Sequence, residues 1–155
     1  MNITYKIANT LQEFETGKDL FQQYATSLDI DLCFQDFTKE LETIAIQYNK
    51  PKGALFLVYN GELAVGCAGI RQFDTETAEL KRMYVNAAYR GMQVGRKLLE
   101  LTIDIAKGLN YTKIRLDTLP SMIQAQKLYH ASGFYEIPSY RYNPVKGVVY
   151  MEKIL

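Results

Sequence analysis

The sequence predicts an α/β fold in which a mixed, mostly antiparallel sheet holds one parallel pair of strands and is flanked by helices. Three observations predict it: a run of three strand patterns in mid-chain, a helical pattern between two strands, and a second helix before two closing strands. A helix between sequential strands is typical of a parallel crossover. The length of 155 residues suits one core, so we expect a single domain over residues 1–155.

The N-terminal elements begin with a strand over residues 3–7, where apolar and polar side chains alternate. Thr10 and Glu13 form a capping box, in which each side chain bonds to the backbone N–H of the other residue, and this box opens a helix. Gly17 is the point at which that helix could be interrupted, because glycine disfavours helix interiors. A short segment over residues 29–35 then leads to a second helix.

The second helix is predicted over residues 37–48, where apolar residues recur at helical spacing on one face before Pro51 stops it. Two strands follow, over residues 54–59 and 63–73. The dipeptide Asn60-Gly61 lies between them and favours a tight type I′ hairpin turn.

The C-terminal half supplies the β-α-β unit and the closing strands. The predicted elements are, in chain order, a strand over 78–85, a helix over 94–109, a strand over 113–118, a helix opened by a capping box of Ser121 and Gln124 and ended by Gly133, and strands over 134–142 and 148–154. The sequence shows no internal repeat and no linker, which supports the single-domain interpretation.

The charge balance argues against nucleic acid as a partner. The chain has 18 basic and 17 acidic residues and a formal net charge of +1, whereas nucleic-acid binding needs an excess of Lys and Arg on one face. The N-terminus lacks the apolar core of a signal peptide, and the longest apolar runs are too short to cross a bilayer. We therefore expect a cytoplasmic protein that binds neither nucleic acid nor membrane.

The cysteines and the histidine predict no metal site. Cys33 and Cys67 are far apart in apolar surroundings and are interpreted as buried free thiols. Two cysteines and one histidine cannot form a recognisable zinc signature.

The segment from Arg90 to Lys97 joins a predicted strand to the N-terminus of an amphipathic helix. Gly91 and Gly95 allow the backbone to approach a ligand closely or to take a positive φ angle. The free N–H groups and the positive end of the helix dipole bind anions at such a terminus, and Arg90, Arg96 and Lys97 add positive charge. The segment therefore predicts a diphosphate cradle, and the alternative is a glycine-containing turn with solvated basic residues.

Two motifs around this loop resemble those of the GNAT superfamily of acyl-CoA-dependent N-acyltransferases. The first is Arg90-Gly-Met-Gln-Val-Gly95, which follows the strand Glu79-Leu-Lys-Arg-Met-Tyr-Val85, and the second is Ala125-Gln-Lys-Leu-Tyr-His-Ala-Ser-Gly-Phe134. The resemblance covers nearly the whole chain. It implies a GNAT-type sheet, acetyl-CoA as co-substrate, and transfer of an acetyl group to a primary amine by direct attack in a ternary complex, without a metal.

Other segments resemble small bacterial members of the family, namely residues 116–122, 140–144 and 150–152. Two residues depart from the family pattern. Gln93 stands at the second glycine of the loop, so its side chain would have to point away from the phosphates. Met122 stands where many members have Asn, which removes one polar contact to the cofactor.

The resemblance also implies which residues act. Tyr129 matches the family tyrosine near the CoA sulfur, and its phenol would protonate the leaving thiolate. Glu79 matches a glutamate that removes the amine proton through water in many members. The predicted cofactor-binding residues are Met83, Tyr84, Val85, Arg90, Gly91, Met92, Gln93, Val94, Gly95, Arg96 and Lys97.

Both catalytic predictions have structural alternatives. Tyr129 shares a helix face with Ala125 and Leu128, so it could be a core residue whose hydroxyl is satisfied there. Glu79 could form a cross-strand ion pair with Arg115. The base that deprotonates the amine could then be a water chain instead of Glu79.

Two other functions fit the same residues. A non-catalytic GNAT-like module that senses CoA or an acyl-CoA would bind the ligand without turnover. A nucleotide-binding protein would use the loop for a different diphosphate. The sequence leaves open whether the acceptor is a small-molecule amine or a peptide amine, and whether the chain is a monomer or a homodimer.

Overall fold

The computed structural model of the chain describes residues 1–28, Leu32 and 36–155. Its helices and strands, in chain order, are β1 (Ile3–Ile7), α1 (Leu11–Leu28), α2 (Phe37–Glu42), α3 (Ile44–Gln47), β2 (Ala54–Asn60), β3 (Leu63–Gln72), β4 (Thr77–Val85), a short 3-10 helix (Ala87–Tyr89), α4 (Val94–Gly108), β5 (Lys113–Thr118), α5 (Ile123–Ala131), β6 (Tyr135–Ile137) and β7 (Val149–Ile154). The segment predicted over 29–35 lies outside the described residues, apart from Leu32, and so does Cys33.

The strands form a seven-stranded sheet in the order β1-β2-β3-β4-β5-β7-β6. Neighbouring strands are antiparallel except β4 and β5, which are parallel and are connected by α4. Such a crossover is the connection that a parallel pair requires. The predicted fold class is confirmed. None of the helices in the described part of the chain is long and apolar enough to span a bilayer.

Helices cover the sheet on both faces. On the face of α4 and α5, the core includes Phe56 and Val58 of β2. On the face of α1, α2 and α3, it includes the alternate residues Leu55 and Leu57 together with Cys67, which is a buried free thiol as predicted. Because both of its faces are buried, β2 is a continuous apolar run rather than an alternating one.

The predicted capping box at the start of α1 is confirmed. The Glu13 backbone N–H donates to Thr10 Oγ1 over 3.1 Å, and the Thr10 N–H donates to Glu13 Oε1 over 3.1 Å. Gly17 does not interrupt the helix, which continues to Leu28. A Cβ at Gly17 would lie 2.5 Å from the Leu55 side chain, so this glycine lets α1 approach the sheet closely.

Two local predictions in the first half of the chain were wrong. The helix expected over 37–48 is divided into α2 and α3 at Thr43, whose φ and ψ of −111° and 19° are not helical. The Thr43 hydroxyl donates to the Lys39 carbonyl over 2.7 Å and the Thr43 N–H donates to the same carbonyl over 3.0 Å, so the chain turns at Thr43 while keeping this helical bond. In the hairpin, Asn60 pairs with Leu63 and φ is positive only at the first of the two turn residues, Gly61, whereas a type I′ turn needs it at both.

The C-terminal elements also differ from the expectation at their ends. No side chain caps α5, which begins at Ile123, so the predicted capping box of Ser121 and Gln124 does not form. Gly133 follows the helix with a φ of +96°, as predicted for its end. The strand expected over 134–142 stops at Ile137 because Pro138 has no N–H to donate to a ladder. The segment over 138–148, which we call the crossing segment, instead passes toward the centre of the sheet.

Candidate active site

A pocket opens where β4 and β5 separate. The two strands pair at three positions, the last of which joins Glu79 to Arg115. Beyond them β4 contains a bulge at Arg82, whose φ is +57°, and the register with β3 shifts there. A bulge bends its strand, so β4 leaves β5 at this point. The residues that line the pocket include Lys81 and Met83 of β4, Asp117 and Thr118 of β5, and Tyr129 of α5.

A buried ion pair holds the bulge in place. Arg82 donates from Nε to Glu40 Oε2 over 3.0 Å and from Nη2 to Oε1 over 2.7 Å, and the Tyr48 hydroxyl donates to Oε2 over 2.9 Å. Burial alone would raise the pKa of Glu40, but the hydrogen bonds and charge of Arg82 hold the pKa below its usual value. Helix α2, which carries Glu40, is therefore fixed to the strand that forms the pocket wall.

Tyr129 projects from α5 into this pocket. Its hydroxyl lies 3.8 Å from the sulfur of Met83, and its ring packs at 5.7 Å from the ring of Phe134. Burial raises the pKa of the phenol, so it keeps its proton through the physiological range. The residue is part of the core and also lines the pocket, so the geometry is compatible with both interpretations and its catalytic role stays a prediction.

Glu79 is almost fully buried, with 1% of its side chain exposed, and both of its oxygens have partners. Arg71 Nε donates to Oε1 over 3.0 Å, while Arg141 Nη2 lies 2.7 Å from Oε2 and the Tyr140 hydroxyl 3.4 Å from it. Burial alone would raise the pKa of this carboxyl, but Lys81, Arg71 and Arg141 hold the pKa below its usual value. Glu79 is therefore ionised, and its role as the base stays a prediction.

The ion pair expected between Glu79 and Arg115 does not form. The two residues face each other across β4 and β5, but Arg115 Nη2 lies 2.6 Å from Glu152 Oε1 on β7. Tyr135 donates to the other oxygen of Glu152 over 3.0 Å. A row of ion pairs thus crosses the sheet. The two arginines that form ion pairs with Glu79 are Arg71 of β3 and Arg141 of the crossing segment.

Sequence reasoning did not find Lys81 and Asp117 as site residues. Lys81 Nζ lies 4.0 Å from Asp117 Oδ1, where β4 and β5 begin to separate, and the lysine side chain is 2% exposed. Burial, with a smaller contribution from the nearby Arg82, lowers the pKa of Lys81 to about 8. The sequence places Lys81 on the same strand face as Glu79. This spacing alone does not show that helices bury that face.

The lowered pKa of Lys81 predicts how stability depends on pH. Between about 8 and 10.5 the unfolded chain binds a proton at this lysine that the folded chain does not, so the free energy of unfolding gains a contribution that rises with pH. Lys81→Met should lack that contribution. Urea denaturation of both proteins at several pH values across this window measures it, and parallel pH dependences would contradict the prediction.

The predicted cradle is an exposed turn that ends at the N-terminus of α4. Gly91 has a φ of +79° and Gln93, the N-cap, a φ of +63°, which is a conformation that glycine adopts more easily. The first backbone hydrogen bond of α4 runs from the Lys97 N–H to the Gln93 carbonyl. The N–H groups at the start of the helix, before Lys97, therefore have no acceptor within the helix. Arg96 and Lys97 are exposed beside them. Arg90 donates from Nε to the Val85 carbonyl over 3.0 Å, which ties the loop to β4.

Met83 connects the cradle to the phenol. A Cβ at Gly95 would lie 3.8 Å from Met83 Cε, and Met83 Sδ lies 3.8 Å from the Tyr129 hydroxyl. The structure therefore brings Met83, Gly95 and Tyr129 together on the α4 side of β4. Glu79 lies further back along β4 and is not among the pocket-lining residues.

Comparison with known proteins is consistent with this geometry. The sequence profile of the Acetyltransferase (GNAT) family matches residues 16–134, which is more than half of the chain. An uncharacterized N-acetyltransferase of Schizosaccharomyces pombe is 32% identical over 152 residues, covering 97% of this chain and 93% of the relative.

Two solved structures share the fold. An acetyltransferase of the GNAT family from Staphylococcus aureus is 27% identical with a TM-score of 0.79 and 98% of each chain covered. The PaiA N-acetyltransferase of Thermoplasma acidophilum, in complex with coenzyme A, is 17% identical with a TM-score of 0.77 and 100% of each chain covered. The family supports acyl-CoA-dependent acetyltransferase activity in general terms. The chain belongs to the GNAT family of acetyltransferases.

Proposed function

We propose that residues 1–155 form one catalytic domain that transfers the acetyl group of acetyl-CoA to a primary amine by direct attack in a ternary complex. The observation that carries this proposal is the position of the Tyr129 hydroxyl. It lines the pocket between β4 and β5 and contacts Met83, which also lies beside the start of α4. A diphosphate on the helix terminus and a reacting sulfur near the phenol would then lie on the same side of β4.

The residues of the loop and of β4 fit a coenzyme A thioester. The N-terminus of α4 offers free N–H groups, and Arg96 and Lys97 add positive charge for the diphosphate. Beyond the bulge, Tyr84 and Val85 pair with β3 on one side, while the ladder with β5 ends at Glu79 on the other. That open edge of β4 could bind the amides of an extended pantetheine chain as an added strand would.

The chemistry assigns one role to each predicted catalytic residue. The amine nitrogen attacks the thioester carbon, so a C–N bond forms and the C–S bond breaks. Tyr129 donates its proton to the departing sulfur, and the proton lost by the amine passes through water to Glu79. The lowered pKa of Glu79 keeps this carboxylate ionised, and it also makes the carboxylate a weaker base, so the amine proton reaches it only through the intervening water. No covalent bond to the protein forms in this scheme.

Calorimetric titration with acetyl-CoA tests the first requirement of the proposal. Saturable binding with unit stoichiometry is expected, and no binding at high micromolar ligand would end it. Binding that is followed by no CoA release with any amine would favour the CoA-sensing module instead. If ATP or NAD displaced CoA from the protein, the loop would instead serve a different diphosphate.

The proposed diphosphate contact gives a prediction for ionic strength. Arg96→Gln should weaken acetyl-CoA binding, and the loss should be larger at low salt than at high salt because the Debye length shortens from about 30 Å at 0.01 M to about 8 Å at 0.15 M. Lys107→Gln is the matched control, since Lys107 is an exposed cation in the last turn of the same helix. Calorimetry at two salt concentrations measures the effect, and an Arg96→Gln dissociation constant equal to that of the control would refute the contact.

A further inference from the structure

One oxygen of the Asp117 carboxylate has no hydrogen-bond donor in the part of the chain that the structure describes. This oxygen, Oδ2, is buried. The nearest cations are Lys81 Nζ, 4.0 Å from Oδ1, and Arg141 Nη1, 3.9 Å from Oδ2, which are both beyond hydrogen-bond distance. A buried acceptor without a donor costs roughly 1–3 kcal/mol. Because Asp117 lines the same pocket as Tyr129, a donor supplied by a substrate there would satisfy it.

The charges around Asp117 favour a substrate that also carries a negative group. Among the described residues, the cations Arg71, Lys81 and Arg141 lie within ion-pair distance of Glu79 or Asp117 and form a cluster with them, while Arg115 pairs separately with Glu152. Within these described residues, the three linked cations exceed the two linked carboxylates by one charge when Lys81 is protonated. A simple ammonium or a polyamine would add further positive charge at this place, which is unfavourable in a partly buried site.

Arg141 is placed to bind such a negative group. It comes from the crossing segment and lies 2.7 Å from Glu79 through Nη2, while its Nη1 faces Asp117. Its side chain is 22% exposed, so the guanidinium reaches the outer side of the cluster. A guanidinium has five N–H donors in a planar fork, so it can hold Glu79 and a second carboxylate together.

We propose that the acetyl acceptor is an amine that also carries a carboxylate, as amino acids do, with its nitrogen bound by Asp117 and its carboxylate by Arg141 and Lys81. This inference rests on the proposed acetyltransferase function and names its substrate class. The two charged groups of an α-amino acid are joined through one carbon, so they can meet protein groups that lie side by side. Bound in this way, the nitrogen lies in the pocket that Tyr129 also lines.

Matched substrate pairs test the proposal through release of the CoA thiol. Each pair holds an amino acid and the amine left when its carboxylate is removed: leucine and isoamylamine, phenylalanine and phenethylamine, ornithine and putrescine. In at least one pair the amino acid should have a kcat/KM higher by about tenfold or more, the factor expected from a charge-assisted hydrogen bond. If the amine is as good or better in every pair with turnover, the carboxylate proposal is wrong and the acetyltransferase function stands. If no compound of any class releases CoA, both are wrong.

Variants then test which side chains cause the preference for the amino acid over the corresponding amine. Arg141→Gln should reduce the ratio of kcat/KM between amino acid and amine toward one, and Arg141→Lys, which keeps the charge, should retain part of it. Asp117→Asn should lower kcat/KM for both members of a pair, because each presents a nitrogen. Lys107→Gln, which changes an exposed cation in the last turn of α4 that does not line the pocket, should keep the wild-type ratio. An unchanged ratio in folded Arg141→Gln, with folding checked by acetyl-CoA binding, would overturn the assignment.

Discussion

Replacing Tyr129 by Phe is expected to lower kcat by roughly 100-fold or more, with the dissociation constant of acetyl-CoA changed by less than about twofold. The hydroxyl is the proton donor that the proposed scheme gives to the leaving sulfur, and burial raises its pKa so that the proton is present at neutral pH. Phenylalanine keeps the ring and its packing against Phe134, and it removes only a weak hydroxyl contact with the Met83 sulfur. The measurement is kcat from CoA release, with calorimetry for the affinity.

Tyr111→Phe is the matched control for this change. Tyr111 is also buried, but its hydroxyl donates to the Lys52 carbonyl over 2.5 Å and does not line the pocket. The control should lose about 1 kcal/mol of stability with its bond and should retain the wild-type kcat. Wild-type turnover in Tyr129→Phe would make Tyr129 an ordinary core residue, which is the alternative that its position on the apolar face of α5 allows.

Replacing Glu40 by Ala is expected to reduce the free energy of unfolding by about 3–5 kcal/mol. The change leaves the guanidinium of Arg82 buried without its bidentate partner, and it also removes the acceptor of the Tyr48 hydroxyl. Arg82 occupies the left-handed region at the bulge, a conformation that costs a residue with a Cβ about 1–2 kcal/mol. Loss of the ion pair should therefore destabilise both the fold and the pocket wall. Urea denaturation measures the difference.

Two further variants separate the charge from the packing. Tyr48→Phe removes one hydrogen bond to Glu40 and should reduce stability by only about 1 kcal/mol. The double variant Glu40→Met with Arg82→Met removes both charges, and it should recover much of the loss because no unpaired charge stays buried. A Glu40→Ala protein as stable as Tyr48→Phe would show that the ion pair does not hold α2 to β4.

Much of the fold could be predicted because its signals are local. The boundaries of β5 match the prediction at both ends, and the start of α4 at Val94 follows the glycine-containing loop as expected. The capping box of Thr10 and Glu13 forms because it needs only residues three positions apart. The helical pattern alone misplaced the end of the second helix, because the spacing of apolar residues over 37–48 does not show the non-helical backbone at Thr43.

The charged part of the site could not be predicted, because long-range pairing creates it. Arg141 reaches Glu79 from a segment that was expected to be a strand, and Arg82 finds Glu40 from another element 42 positions away. Lys81 is buried only because β4 lies in the centre of the sheet with helices on both faces. Tyr129 was predicted from its motif, whereas Asp117 has no motif of its own and stands out only because one of its oxygens has no hydrogen-bond partner among the described residues.

The most direct test of the proposed acetyltransferase activity measures CoA thiol release and amine acetylation in the same reaction. The protein is incubated with acetyl-CoA and the amino acid and amine pairs, free thiol is titrated, and mass spectrometry detects the product. We predict that thiol is released in an amount equal to that of an acceptor heavier by one acetyl group, and that Tyr129→Phe slows both together. Binding of acetyl-CoA with no acetylated product from any acceptor would contradict it.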